Sequence, residues 1–273
     1  MSAGLGASGW DVPVRWSLGA SAWTLRERAT RRAIERVAAA GYQGIELAVS
    51  EPVALAEIRW SLAASGLEAC AIAPGVSGLD CAHPSARLRR AALDHLGASL
   101  ELALELGAPV IIVVPSDCSE PVPRSTREDN LARAAETIAE AAALVPVGGP
   151  SFVIEALNRY ETYLVRTLAE AEALRAAIDS PHVALMADVF HMGIEEDCTA
   201  ESIRAHADQI RYVHLADNQR REPGSGQLDI AGALAALSDS GYHGYLTMEF
   251  LPATDQALRS ARSHVAELAG IPA

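Results

Sequence analysis

Four residues whose side chains can bind a metal or transfer a proton stand at the ends of apolar runs in the second half of the chain. The runs FVIE, VALMAD, RYVH and LTMEF are short and rich in apolar residues, as is typical of buried parallel strands. The four residues are Glu155, Asp188, His214 and Glu249. A carboxylate or an imidazole at a strand end is well placed for acid–base chemistry or for ligation of a cation.

The connection after Ile154 carries more polar groups than a simple turn requires. Its segment EALNRYE places Glu155, Asn158 and Glu161 within seven residues. Taken alone, the segment is equally consistent with an exposed turn and ordinary surface acids, because single motifs match by chance. It becomes informative because three later strands also end in metal-ligand residue types.

The elements that must position these residues alternate regularly along the chain. Apolar runs are each followed by a segment with the three-to-four-residue spacing of an amphipathic helix. Strands are predicted over 14–18, 44–48, 67–73, 110–114, 152–154, 182–186, 210–215 and 245–250, and helices over 25–40, 53–65, 85–106, 125–144, 162–178, 199–206, 230–237 and 257–268. No Pro- or Ser-rich linker divides the chain.

Eight strand-then-helix units predict an α/β protein with a (β/α)8 TIM barrel as one domain over 1–273, which includes a Gly-rich leader over 1–12 that we expect to be mobile. A doubly wound open sheet is the competing fold. Such a sheet usually places a Gly-rich phosphate turn after its first strand, and here that place holds GASAWTL. The barrel is therefore favoured, and in a barrel the chemistry lies on the loops that follow the strands.

In a closed barrel, three carboxylates and one imidazole would crowd together at one mouth. Like charges at close range are costly unless a cation neutralises them, so a divalent metal is predicted. Oxygen-rich ligation with one nitrogen suits Mn²⁺, Co²⁺ or Mg²⁺, and Zn²⁺ binds such sets too. Taken singly, each residue has a simpler interpretation: Glu155 or Glu249 as a surface acid, Asp188 as a helix cap, and His214 as a core histidine.

The composition excludes several classes of protein. A formal net charge of −13 would repel nucleic acid, whose binding needs a basic surface. The four cysteines form no C-x-x-C pair, which favours reduced thiols over a disulfide framework. The first residues show no basic start and no apolar stretch of signal-peptide length, and no later apolar run reaches membrane-spanning length. We therefore expect a cytoplasmic protein with no nucleic-acid or membrane partner.

Four segments together resemble the signature blocks of the xylose isomerase-like barrel superfamily, in particular its D-tagatose/D-psicose 3-epimerase branch. The segments are EALNRYE, DVFHMGIEE, HLADNQRREPGSGQLD and TMEF. The resemblance implies a metal site, commonly for Mn²⁺ or Co²⁺, at Glu155, Asp188, His214 and Glu249, with the two glutamates doubling as the acid/base pair. It also implies that Glu161, His191 and Arg220 hold the sugar near O1 to O3. Mn²⁺ is the favoured ion, and a homodimer or homotetramer is expected.

These residues could support epimerisation of a ketose at C3. A cation at the carbonyl would act as a Lewis acid, and one carboxylate on each face of C3 would remove and return a proton through a cis-enediolate. Glu46 and Trp23, on the first two strands and their loops, are further candidates for lining the pocket. Trp23 could equally lie in the core or at a dimer contact.

Two departures from the branch fall where substrate choice is made: the segment VVPSDC after the fourth strand, and Ala156 where proline is common. Several alternatives stay open. They are another reaction on the same barrel (hydroxypyruvate or inosose isomerase, dehydratase or C-glycoside lyase) and a non-catalytic sugar-binding subunit. A DNA-repair endonuclease would need further histidines after strands three and four, where the sequence reads IAPG and VVPS.

Overall fold

Eight parallel strands close into a barrel in the computed structural model, which describes residues 16–26, 30–49, 54–75, 79–119 and 122–271. Each strand pairs with the next, and the last pairs with the first. The predicted single-domain (β/α)8 barrel is confirmed; the predicted leader over 1–12 lies outside the described residues. The strands are β1 Ser17–Ser21, β2 Gly44–Val49, β3 Glu68–Pro74, β4 Val110–Val113, β5 Ser151–Ile154, β6 Val183–Asp188, β7 Ile210–Leu215 and β8 Tyr245–Met248.

Helices follow the strands and form the outer layer. The described residues contain nine α-helices, of which two follow β6 and one follows each other strand. They are α1 Arg31–Ala39, α2 Leu55–Ser65, α3 Ala86–Leu106, α4 Arg127–Ala142, α5 Leu168–Ile178, α6 Val189–Glu195, α7 Thr199–His206, α8 Ile230–Asp239 and α9 Asp255–Leu268. Among the described residues, no helix combines the length and the apolar character that a membrane crossing requires.

Side-chain caps determine where many of these helices begin. The hydroxyl oxygens of Thr30, Thr126, Thr167 and Thr254 each accept a hydrogen bond from the backbone N–H three residues further on. Such a cap satisfies one of the N–H groups that the first turn leaves without a partner. Gly66 and Gly107 end α2 and α3 with positive φ, a conformation that glycine adopts without a steric penalty.

Four elements differ from the predictions. The first helix, predicted over 25–40, begins at Arg31, where Thr30 caps it, and Leu25 belongs to the short 3-10 helix Trp23–Leu25. The first strand lies at Ser17–Ser21 rather than 14–18, and residues 14 and 15 are outside the described part. The fifth helix begins at Leu168 rather than at residue 162, because Thr167 caps it and Thr162 accepts a hydrogen bond from Leu164 N–H in a turn. The seven-residue helix Val189–Glu195 was not predicted, since it is too short to show a helical period.

The core has two parts. The larger lies between the barrel and its helices, and the smaller fills the barrel interior. The interior cluster includes Cys70, Ile112, Met186 and Tyr212, all at most 4% exposed. Tyr212 packs edge-on against His214, with ring centroids 5.4 Å apart. This apolar plug therefore forms the floor beneath the carboxyl ends of the strands, where the polar residues gather.

Candidate metal centre

The structure brings the four strand-end residues into one cluster. One ligand atom from each of Glu155, Asp188, His214 and Glu249 lies within 4.8 Å of the corresponding atoms of the others. The residues come from β5, β6, β7 and β8 or the positions directly after them, and each is at most 9% exposed. The four side chains therefore lie together at the carboxyl end of the barrel, as expected from the sequence.

His214 occupies the centre of the cluster. Its Nδ1 atom lies 3.0 Å from Glu249 Oε2, 3.4 Å from Asp188 Oδ2 and 3.6 Å from Glu155 Oε1. This nitrogen is buried and has no hydrogen-bond partner. A buried polar atom without a partner is costly in a folded protein unless something else satisfies it.

The other imidazole nitrogen is held by Glu46. His214 Nε2 lies 2.6 Å from Glu46 Oε2, and the same carboxylate accepts hydrogen bonds from Ser21 Oγ at 2.6 Å and Tyr212 OH at 3.0 Å. Glu46 is fully buried. A carboxylate on the second nitrogen of a histidine fixes the ring and its tautomer and raises the basicity of the ligating nitrogen. Glu46 thus lies beneath the cluster and aims Nδ1 at the three carboxylates.

The charges of the cluster do not balance. Burial alone would lower the pKa of His214, but Glu46, Asp188 and Glu155 together raise it well above its ordinary value. Burial likewise raises the pKa of Asp188, but Arg220 and the two histidines outweigh this and hold it well below its ordinary range. An excess of carboxylates around one imidazole attracts positive charge. The negative excess and the partnerless Nδ1 fit a divalent cation held by the four residues.

We predict that Glu46→Gln weakens binding of a divalent metal roughly 10- to 100-fold, because loss of an outer carboxylate loosens the ligand that it orients. The affinity would be measured by titration of metal-free protein with Mn²⁺. Glu68→Gln is the matched control, since Glu68 also accepts a short hydrogen bond, from Tyr245 OH at 2.6 Å, but at the opposite end of the barrel. Equal affinities of the Glu46 variant and the wild type would contradict the role of Glu46.

Asp188 both caps a helix and faces the cluster. Its Oδ1 accepts hydrogen bonds from the N–H groups of Phe190, at 2.9 Å, and His191, at 3.2 Å, at the start of α6. Its Oδ2 lies towards His214. The simple interpretation of Asp188 as a helix cap and the interpretation as a metal ligand are therefore compatible, because they use different oxygens.

Arg220 reaches the cluster from the connection after β7. Its guanidinium donates to Asp188 at 2.8 and 3.0 Å and forms a second ion pair with Glu249. The guanidinium also lies over two aromatic rings, 4.8 Å from the centroid of Phe190 and 5.9 Å from that of Trp23. Aromatic faces attract a cation and limit its movement. The two rings therefore hold Arg220 at the edge of the cavity.

Asn158 links the two remaining predicted substrate contacts. Its backbone N–H and its side-chain amide lie 3.2 and 2.8 Å from His191 Nδ1, and the amide also donates to Glu161 Oε1 at 2.7 Å. Burial keeps the pKa of His191 below its ordinary value despite Asp188. Because Nδ1 accepts, the proton of the neutral ring resides on Nε2, which faces Asp188 at 3.8 Å.

These residues border a cavity of about 1010 Å³ at the carboxyl end of the barrel. Ionisable side chains in its lining include Glu155, Glu161, His191, His214, Arg220 and Glu249, together with Arg26 and His95 from the first half of the chain. Apolar residues in the lining include Trp23, Ala48, Val49, Pro74, Val114 and Leu251. Val114 and Cys118 come from the segment VVPSDC, in which the sequence departs from the resembled branch. Trp23 lines the cavity and does not lie in the core, whereas Glu46 lies below it.

The barrel fold and the buried cluster of three carboxylates and one imidazole can be compared with those of known protein families. A family model for the xylose isomerase-like TIM barrel matches residues 34–267, and the chain belongs to this family. The family predicted from the four signature segments is confirmed. Among the described residues, the four-residue cluster is the one group of three or more potential ligands that could hold a metal. The additional histidine ligands expected of a repair endonuclease are therefore not found in the described part of the chain.

Several relatives of the chain are sugar epimerases. L-ribulose 3-epimerase of Methylomonas sp. strain DH-1 is 31% identical over 228 residues, 80% of this chain and 77% of the relative. The crystal structure of D-allulose 3-epimerase from Methylomonas sp. in complex with D-allulose superposes with a TM-score of 0.85 at 25% identity, covering 93% of this chain and 98% of the other. A shorter match, to 3-dehydro-D-guloside 4-epimerase of Escherichia coli K12, is 39% identical over 101 residues, 37% of this chain and 38% of that protein.

Proposed function

We propose that the protein is a divalent-metal-dependent ketose 3-epimerase. The observation that carries the proposal is the placement of Glu155 and Glu249 around one imidazole at the barrel mouth. The two glutamates follow β5 and β8, which are separated around the barrel by β6 and β7. Carboxylates from such positions approach a small substrate from different sides. The 3-epimerase relatives of similar length support the same reaction.

Epimerisation requires a base on each face of C3. In the proposed reaction, one glutamate removes the C3 proton of the ketose, and the other returns a proton to the opposite face of the planar cis-enediolate. In the reverse direction the two exchange roles. Both glutamates are at most 9% exposed and line the cavity, so a sugar bound there would lie against them.

Glu155, Asp188, His214 and Glu249 would hold the metal, and Asp188 and His214 would take no part in proton transfer. When bound, the metal supplies Lewis-acid stabilisation of the negative charge that develops on the sugar oxygens. We propose Mn²⁺ as the ion, with Co²⁺, Mg²⁺ and Zn²⁺ as alternatives, because the donor set has three carboxylates and one nitrogen.

The sugar itself would be held by Arg220, His191 and Glu161. The guanidinium can donate to O2, where negative charge develops, and His191 can donate from Nε2 because Asn158 occupies Nδ1. Glu161, fixed by the Asn158 amide, can accept from a hydroxyl at the O1 end. These contacts would orient C3 between the two glutamates, which is the geometric requirement of the reaction.

A second candidate reaction is epimerisation at C4 of a 3-dehydro sugar. The short match to 3-dehydro-D-guloside 4-epimerase favours it. A carbonyl at C3 makes the C4 proton acidic, so the same pair of glutamates could invert that centre by the same chemistry. The two reactions therefore differ in which sugar the cavity accepts and not in the groups that transfer the proton.

One experiment separates these reactions. Metal-loaded protein would be incubated in D₂O with a panel of free ketoses and a 3-dehydro glycoside, and the recovered sugars analysed by chromatography and NMR. Deuterium at C3 of a ketose together with its C3 epimer is the expected result. Deuterium at C4 of the 3-dehydro sugar alone supports the second reaction. Loss of water or of an aglycone, or no exchange in any sugar, would contradict epimerase function.

The proposal also covers the cellular location and the oligomeric state of the protein. All four cysteines are free in the structure, which agrees with a reducing compartment, and we propose a cytoplasmic location. We also propose a homodimer or homotetramer acting on a small sugar in carbohydrate metabolism, without a nucleic-acid or membrane partner.

A further inference from the structure

Arg220 lies in an unusual backbone conformation within residues 216–228, which connect β7 to α8 and are called the β7–α8 loop below. Gln219 and Arg220 have φ angles of 61° and 55°, in the left-handed region. Residues other than glycine enter this region only where surrounding contacts hold them there. Leu251 N–H donates to the carbonyl oxygen of Arg220 at 2.6 Å, so part of the support comes from the chain after β8. The rest must come from the loop itself.

A single buried carboxylate, that of Asp217, provides this support. Asp217 is 1% exposed, and its two oxygens accept four backbone hydrogen bonds from the loop, two on each oxygen. Its own N–H donates to the carbonyl oxygen of Arg221 at 2.8 Å, which closes the turn that contains Arg220. The four donors are the N–H groups of Asn218 (2.8 Å), Gly224 (3.1 Å), Gly226 (2.8 Å) and Leu228 (3.0 Å). One side chain thus connects the beginning, the middle and the end of the loop.

The surroundings of Asp217 suit a permanently charged acceptor. Burial raises the pKa of this carboxyl, but the four N–H donors together outweigh burial and hold the pKa below its ordinary range. Asp217 is therefore ionised at neutral pH. Gly226 packs so closely that a Cβ atom at this position would collide with the side chains of Asp217 and Asn218. The loop consequently closes around the carboxylate and leaves no room for a side chain at residue 226.

We propose that Asp217 is a positioning residue for the sugar-binding site: it fixes the β7–α8 loop so that the Arg220 guanidinium reaches Asp188 and Glu249. Asp217 itself contacts neither the four-residue cluster nor the cavity. The inference rests on the proposed function to the extent that Arg220 holds the sugar. Its structural part, that Asp217 determines where Arg220 lies, can be tested without any sugar.

The decisive variant is Asp217→Asn, which keeps the shape of the side chain. Its NH₂ group would replace one oxygen and face two backbone N–H donors, so the loop must move. We expect kcat/KM to fall roughly 10²-fold, because a displacement of about 1 Å at a substrate contact costs about that factor. Affinity for Mn²⁺ should stay within a factor of about three, because the ligands belong to the strands and not to the loop.

The test of positioning is a double-mutant cycle with Arg220→Ala. If Asp217 acts through Arg220, Asp217→Asn should reduce kcat/KM less than about threefold in the Arg220→Ala background. The matched control is Asp229→Asn, because Asp229 is an exposed aspartate that accepts the N–H of Gly232 at 2.8 Å and caps α8 just after the loop. Wild-type turnover is expected for it. Wild-type kcat/KM for Asp217→Asn, or an equal loss in both backgrounds, would overturn the inference.

A sugar-independent measurement separates this inference from the proposed function. Hydrogen exchange of the Leu251 amide, followed by NMR, reports on its hydrogen bond to the Arg220 carbonyl. We expect faster exchange at Leu251 in Asp217→Asn while the barrel strands keep their protection; unchanged exchange at Leu251 overturns the inference. A wild type that turns over no sugar would refute only the proposed function. If Asp217→Asn does not fold, Gly226→Ala replaces it, because its new methyl group would displace the same carboxylate.

Discussion

Replacement of either glutamate that we propose as a base, as Glu155→Gln or Glu249→Gln, is expected to lower the rate of epimerisation by roughly 10²- to 10⁴-fold, the usual contribution of a positioned acid or base. Glutamine keeps the length of the side chain and one oxygen, so the fold should persist. The rate would be measured on the ketose that the D₂O experiment identifies. Near-wild-type epimerisation by both variants would contradict the assignment.

Because both glutamates would also hold the metal, the rate alone does not separate lost proton transfer from lost metal. Exchange of the C3 proton with solvent deuterium separates these two effects. A variant that retains one base can still exchange the C3 proton of one epimer with D₂O without inverting it, and the two variants should retain this exchange for opposite epimers. Exchange retained for the same epimer in both variants would refute the two-base assignment. Loss of exchange for both epimers would instead indicate loss of the metal, which metal analysis of the purified variants would show. Glu172→Gln is the control, since Glu172 pairs with Arg175 on the outer surface of α5.

Removal of the metal with EDTA is expected to abolish turnover and to lower the melting temperature. A ligand that binds only the native state stabilises it by about 2.7 kcal/mol at one hundred times its Kd. For a domain of this size, each kcal/mol corresponds to about 2–4 °C, so the expected decrease is about 5–10 °C. Differential scanning calorimetry would measure it. Mn²⁺ added in excess of EDTA should restore both properties.

The variant His214→Asn tests whether this stabilisation comes from the four-residue cluster. Without the imidazole at its centre, the cluster loses the donor that lies closest to all three carboxylates. EDTA should then leave the melting temperature of the variant unchanged. A wild-type melting curve that EDTA does not alter, together with undiminished turnover, would argue against a metal at this position.

The positions of the four cluster residues could be predicted from the sequence because each ends an apolar run of strand length. In a closed parallel barrel such ends converge, so the meeting of Glu155 and Glu249 follows from topology alone. Resemblance to a known family added His191 and Arg220. The prediction of the four cluster residues required no distances, because the direction of the strands determines which side chains lie at the carboxyl end of the barrel.

The residues that support the cluster could not be assigned in the same way. Glu46 ends no apolar run, and only the fold places its carboxylate against an imidazole from β7. Asp217 has mainly backbone N–H groups of an irregular loop as partners, and backbone donors leave no signature in side-chain spacing. Asn158 was noticed as an amide between two acids, but its contact with His191 connects residues 33 positions apart. Helix α6 is too short for its period to be visible.

The origin of the residues that line the cavity has a consequence for how a protein of this kind could come to act on other sugars. The groups proposed to transfer the proton and to hold the metal lie on or directly after β5 through β8, whereas the first four strands and their loops contribute apolar side chains such as Val49, Pro74 and Val114 to the cavity lining. Exchange of those apolar residues would reshape the opening without disturbing the reactive groups. A mutant library confined to these apolar lining positions should therefore yield altered selectivity while the groups proposed to transfer the proton are kept.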